Sequence, residues 1–167
     1  MVFPTEDSSI LYVFAAGLTS ILEFGPGLST ETFIKVHCSD IVTCENHPKW
    51  YEVAIERFKD YPQVEVIKYE NTPIVNIPIL ANRQFELAFV DNPVGANNKN
   101  RVIHKGQEKL ARWNTLEFCM NHCNLVFLHD CKRSGEQNSL SRAKQLGWEV
   151  YEYPTKRGLA KLTNIKE

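Results

Sequence analysis

The chain alternates short apolar runs, rich in β-branched and aromatic residues, with longer segments whose apolar residues recur at helical spacing. That alternation constrains the fold more than any single motif, because it is the pattern of an α/β protein with a largely parallel sheet. Strand-like runs fall at residues 20–24, 41–45, 64–68, 85–90 and 124–129, with two more at 148–153 and 159–163. The 85–90 run is apolar nearly throughout, as a strand covered by helices on both faces requires. The spacing predicts a helix over 5–16, capped by Thr5 or Asp7, with Ile10, Val13 and Phe14 on one face and Gly17 at its end. A second starts near Ser29 and buries Phe33, Ile34 and Val36. A third has Pro48 at its first position, followed by Trp50, Val53, Ala54 and Phe58. A long pattern over 101–120 runs through Ile103, Leu110, Trp113, Leu116 and Phe118, and a further helix covers 137–146. Pro73 and Pro78 restrict 71–83 to a short or irregular helix. The last two runs flank the short loop 154–158 and are expected to be antiparallel neighbours. The expected fold class is therefore α/β: a doubly wound sheet, mostly parallel, with a C-terminal antiparallel hairpin strand.

At 167 residues the chain fits a single domain over 1–167, and no composition shift marks a linker. Nineteen basic residues stand against 20 acidic ones, without a block of like charge, so a nucleic-acid backbone or an anionic membrane is not an expected partner. The uncharged stretch 8–22 is shorter than the roughly 20 residues of a membrane span, and Glu6 and Asp7 precede it where a signal peptide carries basic residues. The five cysteines (Cys38, Cys44, Cys119, Cys123 and Cys131) show no framework or zinc-ligand spacing. They read as reduced thiols of a cytoplasmic protein. A homo-oligomer is compatible with this composition.

The most informative stretch is Leu22-Glu23-Phe24-Gly25-Pro26-Gly27-Leu28-Ser29-Thr30. A strand that ends in Gly-x-Gly and opens a helix lets backbone approach a ligand with no Cβ in the way. Glu23 lies inside the strand. Glu45 ends the next strand about 20 residues on, where a carboxylate can accept ribose hydroxyls. A dinucleotide site would want a third glycine where Thr30 stands, which disfavours an NAD-binding oxidoreductase. The pattern resembles class I, Rossmann-like S-adenosylmethionine-dependent methyltransferases, over residues 20–163. The resemblance implies adenosylmethionine as cofactor. Its amino-acid half would lie near Glu23, Phe24, Gly25, Gly27, Ser29 and Thr30, and its ribose near Glu45 and Asn46. The adenine amine would meet Glu70 or Asn71.

The same edge of the sheet receives Asp91 after the fourth strand and His129-Asp130 after the fifth. Methylating a hydroxyl needs alignment and removal of a proton, for which Asp91, Asp130 and His129 are the candidate bases, in that order. Asp91 is also a candidate contact of the cofactor. Asp130 could alternatively cap the following helix, Arg133 could pair with Glu136, and Arg101 could clamp an acidic substrate group. Asn92-Pro93 lacks the second proline and aromatic of the amino-methylating DNA enzymes. The segments Val90-Asp91-x-Pro93-x-Gly95 and Val126 to Glu136 look like those of glucuronoxylan 4-O-methyltransferase-type and related small O-methyltransferases. That resemblance implies a small-molecule or saccharide acceptor. In metal-dependent catechol-type O-methyltransferases, acids after strands four and five hold a divalent ion. Cys131, a poor magnesium ligand, stands where that family has an amide, so a divalent metal is admitted but not favoured and no residue is assigned to one. The alternative reading is a non-catalytic adenosylmethionine-binding module, or the subunit of a complex that carries one.

Overall fold

A computed structural model describes residues 5–93, 103–104, 107–108 and 112–165. Nine strands lie among them: β1 (Ser20–Phe24), β2 (Asp40–Glu45), β3 (Val64–Lys68), β4 (Leu87–Val90), β5 (Ile103–His104), β6 (Gln107–Glu108), β7 (Leu125–His129), β8 (Trp148–Tyr153) and β9 (Leu159–Asn164). Seven form one sheet in the order β3-β2-β1-β4-β7-β9-β8, while β5 and β6 pair only with each other. The pairings among β3, β2, β1, β4 and β7 are all parallel. β9 runs antiparallel between β7 and β8. The structure therefore has the α/β, mostly parallel architecture expected from the strand–helix alternation, with the antiparallel C-terminal hairpin in place.

The helices are α1 (Glu6–Ala15), α2 (Leu28–Lys35), α3 (Pro48–Phe58), α4 (Trp113–His122) and α5 (Ser134–Gln145), with a 3-10 turn at Pro78–Leu80. Strand alternation divides the sheet into two faces. Leu22, Phe24, Val42, Ala88, Val90, Val126 and Leu128 pack with Leu116 and Cys119 of α4 and Leu140 and Ala143 of α5. Ile21, Ile41, Leu87, Phe89 and Phe127 face the other way, against Leu11 and Ala15 of α1 and Phe33 of α2. Thr5 caps α1 by accepting the Ser8 amide at 3.1 Å, which leaves the other capping candidate, Asp7, free for a different contact.

Several expectations need correction. The 101–120 pattern is not one helix: α4 starts at Trp113, and Ile103–His104 pairs with Gln107–Glu108. Gly106 already weakened the first half of that pattern. α1 buries Leu11 and Ala15, while Val13 stays 70% exposed. On α3 only Ala54 and Phe58 are buried, and Trp50 and Val53 face outward because the helix packs at the sheet's β3 end with one narrow stripe. Phe85 makes an isolated bridge to Cys123 ahead of β4. Val94, Gly95 and Arg101 lie outside the described residues. Among the described residues, all five cysteines are buried free thiols and no helix is long and apolar enough to cross a membrane.

Candidate functional site

The alternation that sends Ile21, Ile41, Leu87 and Phe127 toward α1 and α2 also sends Glu23, Thr43, Glu45, Asp91 and His129 to that face, two or four residues further along each strand. In the β4–β7 register Phe89 pairs with Phe127 and Val90 with Leu128. The next step brings Asp91 and His129 out side by side at the carboxyl rim. The class of residue at the rim is thus set by sequence spacing, and its pairing by strand register.

The turn after β1 requires its first glycine. Gly25 has φ +100°, and a Cβ there would sit 3.1 Å from the Asp91 carbonyl carbon and oxygen and from Asn92 Cβ. A Cβ at Gly27 would meet nothing within 4 Å, so the helix start opens onto free space. Gly27 N–H donates to Thr30 Oγ1 at 2.9 Å, and the Thr30 hydroxyl donates to Glu23 Oε2 at 2.5 Å. The Ser29 hydroxyl donates to Glu23 Oε1. Glu23 is fully buried, and that burial pushes its carboxyl up to about 7 against the opposing effect of these hydroxyls. Its chemistry is to fix the turn onto α2.

A cavity of about 550 Å³ lies over this turn. Gly25 to Ser29 form one wall, Thr5 to Ser8 and Leu11 of α1 a second, Phe89, Asp91 and His129 a third, and the 155–157 loop between β8 and β9 the last. The glycine turn, Asp91 and His129, all read from the sequence as site residues, meet around one space.

His129 is clamped between two acids. Its Nδ1 donates to Asp91 Oδ1 at 2.7 Å and its Nε2 to Asp7 Oδ2 at 3.0 Å. Burial opposes the charged ring, but the bonds to Asp7 and Asp91 prevail and raise it to about 9. At neutral pH His129 is therefore an imidazolium, holds a proton on each nitrogen, and cannot serve as the base. Asp7, in turn, is held below its usual range: its burial alone would raise it, and the His129 bond overcomes that. This clamp makes a prediction about stability. Below pH about 6.5, the free value for histidine, the ring is charged in folded and unfolded chains alike and the clamp contributes fully. Its contribution fades as pH climbs through about 9. A shift of that size corresponds to about 3 kcal/mol at most. Urea unfolding of wild type and His129→Gln should show a stability gap at pH 6 that has closed by pH 10.

Asp130 is enclosed rather than open to an acceptor. It is 2% exposed, with φ +57°, and three arginines converge on it. Arg157 Nε lies 2.7 Å from Oδ1, Arg133 Nη2 3.2 Å and Arg112 Nη2 3.3 Å from Oδ2. It does not line the cavity and does not cap α5, whose N-cap position is Arg133. Arg133 pairs with Asp130 rather than with Glu136, because Glu136 turns into the interior, where neither of its oxygens has a hydrogen-bond partner among the described residues.

Ligand atoms of Asp91, His129 and Asp130 lie within 4.8 Å of one another, a spacing that suits a metal ion. The donor set nevertheless does not fit one. Arg112, 3% exposed, already spans the two acids at 3.2 Å from Asp91 Oδ1 and 3.3 Å from Asp130 Oδ2. A divalent ion placed about 4 Å from that guanidinium would meet a repulsion of roughly 8 kcal/mol at an effective dielectric near 20.

Glu45 stays at the rim but outside the cavity lining, as do Asn46 and Glu70. Glu45 Oε1 accepts the His47 amide at 2.9 Å and Asn92 Nδ2 at 2.9 Å. Asn92 is fixed from behind: Tyr69 donates its hydroxyl to Oδ1, and Thr115 donates to the Asn92 carbonyl at 2.7 Å. Asn71, the other adenine candidate, instead accepts from the Asn114 amide at 3.2 Å. Sequence reasoning missed Asp7, Asn92, Arg112 and Arg157 as site residues. Arg112 carried one usable signal, a charge at the start of an apolar helix face.

The fold is that of class I, Rossmann-like methyltransferases. A Staphylococcus aureus protein provisionally assigned as a caffeoyl-CoA O-methyltransferase superposes with a TM-score of 0.71 at 14% identity, covering 98% of this chain and 86% of that one. The S-adenosylhomocysteine-bound methyltransferase PaMTH1 of Podospora anserina gives 0.66 at 17% identity, over 96% and 78%. A Pyrococcus horikoshii protein, PH1948, provisionally assigned as an RNA methyltransferase, gives 0.65 at 11% identity, over 96% and 83%. No family model matches the sequence, and no curated protein matches it. The likeness to glucuronoxylan 4-O-methyltransferase-type enzymes therefore rests on its two sequence segments alone.

Proposed function

We propose that the chain is an S-adenosylmethionine-dependent methyltransferase that methylates a hydroxyl of a small molecule or sugar, with Asp91 as the base. The observation that carries this reading is the cavity over the glycine turn with Asp91 on its wall. A nucleoside sulfonium fits there: the open space at Gly27 accepts its zwitterionic amino-acid half, and the lining offers both acids (Glu6, Asp7, Asp91) and cations (His129, Lys156, Arg157) to its charges. Glu45 and Asn46 are the proposed ribose contacts, where the sugar would compete with the Asn92 amide for Glu45. Glu70 is the proposed adenine contact. When bound, the sulfonium supplies an electrophilic methyl group.

The chain's own residues then align and deprotonate the acceptor. His129 and Arg112 both engage Asp91 Oδ1, while Oδ2 has no partner among the described residues and can take the proton of an acceptor hydroxyl. His129, fixed by Asp7, orients that carboxylate. α1 closes the cavity from above and limits water.

Calorimetric titration with adenosylmethionine and adenosylhomocysteine tests the reading: one site per chain for each is expected, and no heat from either at millimolar concentration would remove it. If both bind but no hydroxyl acceptor in a broad panel is methylated, the binding-only module is the better description.

A further inference from the structure

We propose that the turn between β8 and β9 receives an anion at the acceptor's end of the cavity: Lys156 and Arg157, the latter fixed by Asp130, take a carboxylate or phosphate group carried by the molecule that is methylated. That the anion belongs to an acceptor rests on the function proposed above, whereas the cationic turn itself does not.

The turn is a docked piece of structure. Its Thr155 amide donates to the Tyr153 carbonyl at 2.8 Å and its Gly158 amide to the Thr155 carbonyl at 3.2 Å. Cys131 N–H donates to the Gly158 carbonyl at 3.3 Å, and Lys132 Nζ to the Lys156 carbonyl at 3.3 Å. Gly158 has φ +84°, and a Cβ there would come within 2.8 Å of Cys131 Sγ and Lys132 Cγ, so the turn lies directly against the residues that follow β7. Lys156 and Arg157 are thereby held on the cavity wall. Arg157 is fixed a second time, through its side chain, since Nε and Nη2 reach the two oxygens of Asp130 at 2.7 and 3.2 Å. A guanidinium carries five N–H donors, so donors remain for a second oxyanion, and the side chain is 59% exposed. Asp130, a buried acid with no part in proton removal, thus becomes a positioning residue for Arg157.

The charges at this rim do not balance among themselves. Arg112, His129, Arg133 and Arg157 meet Asp7, Asp91 and Asp130, which sets four cations on three acids among the described residues. Glu136 lies within electrostatic reach of Arg112 and Arg133, but burial pushes its carboxyl up and weakens it as a counter-charge. Lys156 adds a fifth cation, and its Nζ has no ion-pair partner among the described residues. Glu6, the acid of the lining outside this network, stands on the α1 wall. A bound sulfonium cofactor, with two positive groups and one carboxylate, enlarges the surplus, so the missing partner is an anion.

Strand order favours the acceptor as its source. Along β1-β4-β7-β9 the turn stands two strand spacings, about 10 Å, from β4 with Asp91, and three, about 14 Å, from β1 with the glycine turn. The turn is therefore on the far side of Asp91 from the proposed amino-acid half of the cofactor. A molecule that presents a hydroxyl to Asp91 and continues away from the cofactor meets Lys156 and Arg157 next.

The test is calorimetric titration of the ligand-free chain, and of the chain saturated with adenosylhomocysteine, with sodium phosphate, sodium 3-hydroxybenzoate and the neutral 3-hydroxybenzyl alcohol. At least one of the two anions should bind at one site per chain, with the alcohol weaker by about tenfold or more, and the tighter anion tells a phosphate reader from a carboxylate reader. Lys156→Glu should weaken that anion by roughly tenfold or more, because charge reversal turns an attraction into a repulsion. Lys156→Gln should weaken it less, and Lys144→Gln on the last turn of α5 should not weaken it. Lys156 is exposed and its carbonyl bond to Lys132 survives these changes, so the variants should melt with the wild type. Adenosylhomocysteine affinity should hold throughout. Failure of both anions to bind would overturn the proposal, as would binding that Lys156→Glu leaves unchanged. An equal loss of adenosylhomocysteine affinity would also overturn it, by making Lys156 a contact of the cofactor's carboxylate. Absence of adenosylhomocysteine binding to the wild type would instead remove the methyltransferase reading, and the anion titrations of the ligand-free chain would still decide on the turn.

Discussion

Asp91→Asn is expected to slow methyl transfer to a hydroxyl acceptor by roughly 10²- to 10⁴-fold, the range a positioned general base supplies. The substitution keeps size and shape, and an amide oxygen can still accept from His129 across 2.7 Å. It removes the negative oxygen proposed to take the proton. Adenosylhomocysteine affinity, measured by calorimetry, should therefore fall far less than kcat. A loss confined to KM, or an equal loss of cofactor binding, would recast Asp91 as a binding residue. Asp130→Asn is no mirror image of this variant. With Asp130 buried under Arg112, Arg133 and Arg157, neutralising it removes the acid that Arg133 and Arg157 meet and leaves Arg112 paired with Asp91, so its main expected effect is on stability.

Gly25→Ala should be the most damaging single methyl group in the site. At φ +100° an L side chain is strained, at a cost of roughly 1–3 kcal/mol. The added carbon would also press on the Asp91 carbonyl and Asn92 Cβ at 3.1 Å, where backbone cannot yield as a flexible side chain can. Overpacking of that kind adds roughly 1–3 kcal/mol more. Urea unfolding should register at least about 2 kcal/mol of lost stability, with cofactor binding weakened in whatever folds, because relief requires the β1 turn to move away from β4. A Gly27→Ala control meets no atom within 4 Å, so it should fold normally and reveal by calorimetry whether a ligand uses that space.

These two positions also show how much could be read from the chain. Gly25 announced itself because a glycine at the end of a strand, before a helix, has few other reasons to be there. Asp91 and His129 were legible because strand alternation and the end of each apolar run fixed both their face and their edge. Glu45 was read in the right place at the rim, but its engagement by Asn92 was not, since that bond joins residues on strands two apart in the sheet. Trp50 and Val53 were expected inside because helical spacing defines a stripe and not its width. How much of the stripe is covered depends on the neighbouring layer, which at the β3 end is incomplete.

The roles of the charged groups divide along the same line. Among three candidate bases, local sequence could rank but not choose. The fold surrounds them differently, with two acids around His129, three arginines around Asp130, and a cavity beside Asp91, and that difference is what supports proposing Asp91. The sequence by itself determined the strand–helix order, the parallel sheet, the glycine turn and the edge at which polar residues gather, since each follows from short-range periodicity and backbone sterics. Only the tertiary structure decided which charged partners each of those residues meets among the described residues. Charge acts through space over a few ångströms, and Asp7, Arg112 and Arg157 reach the rim from segments far away along the chain.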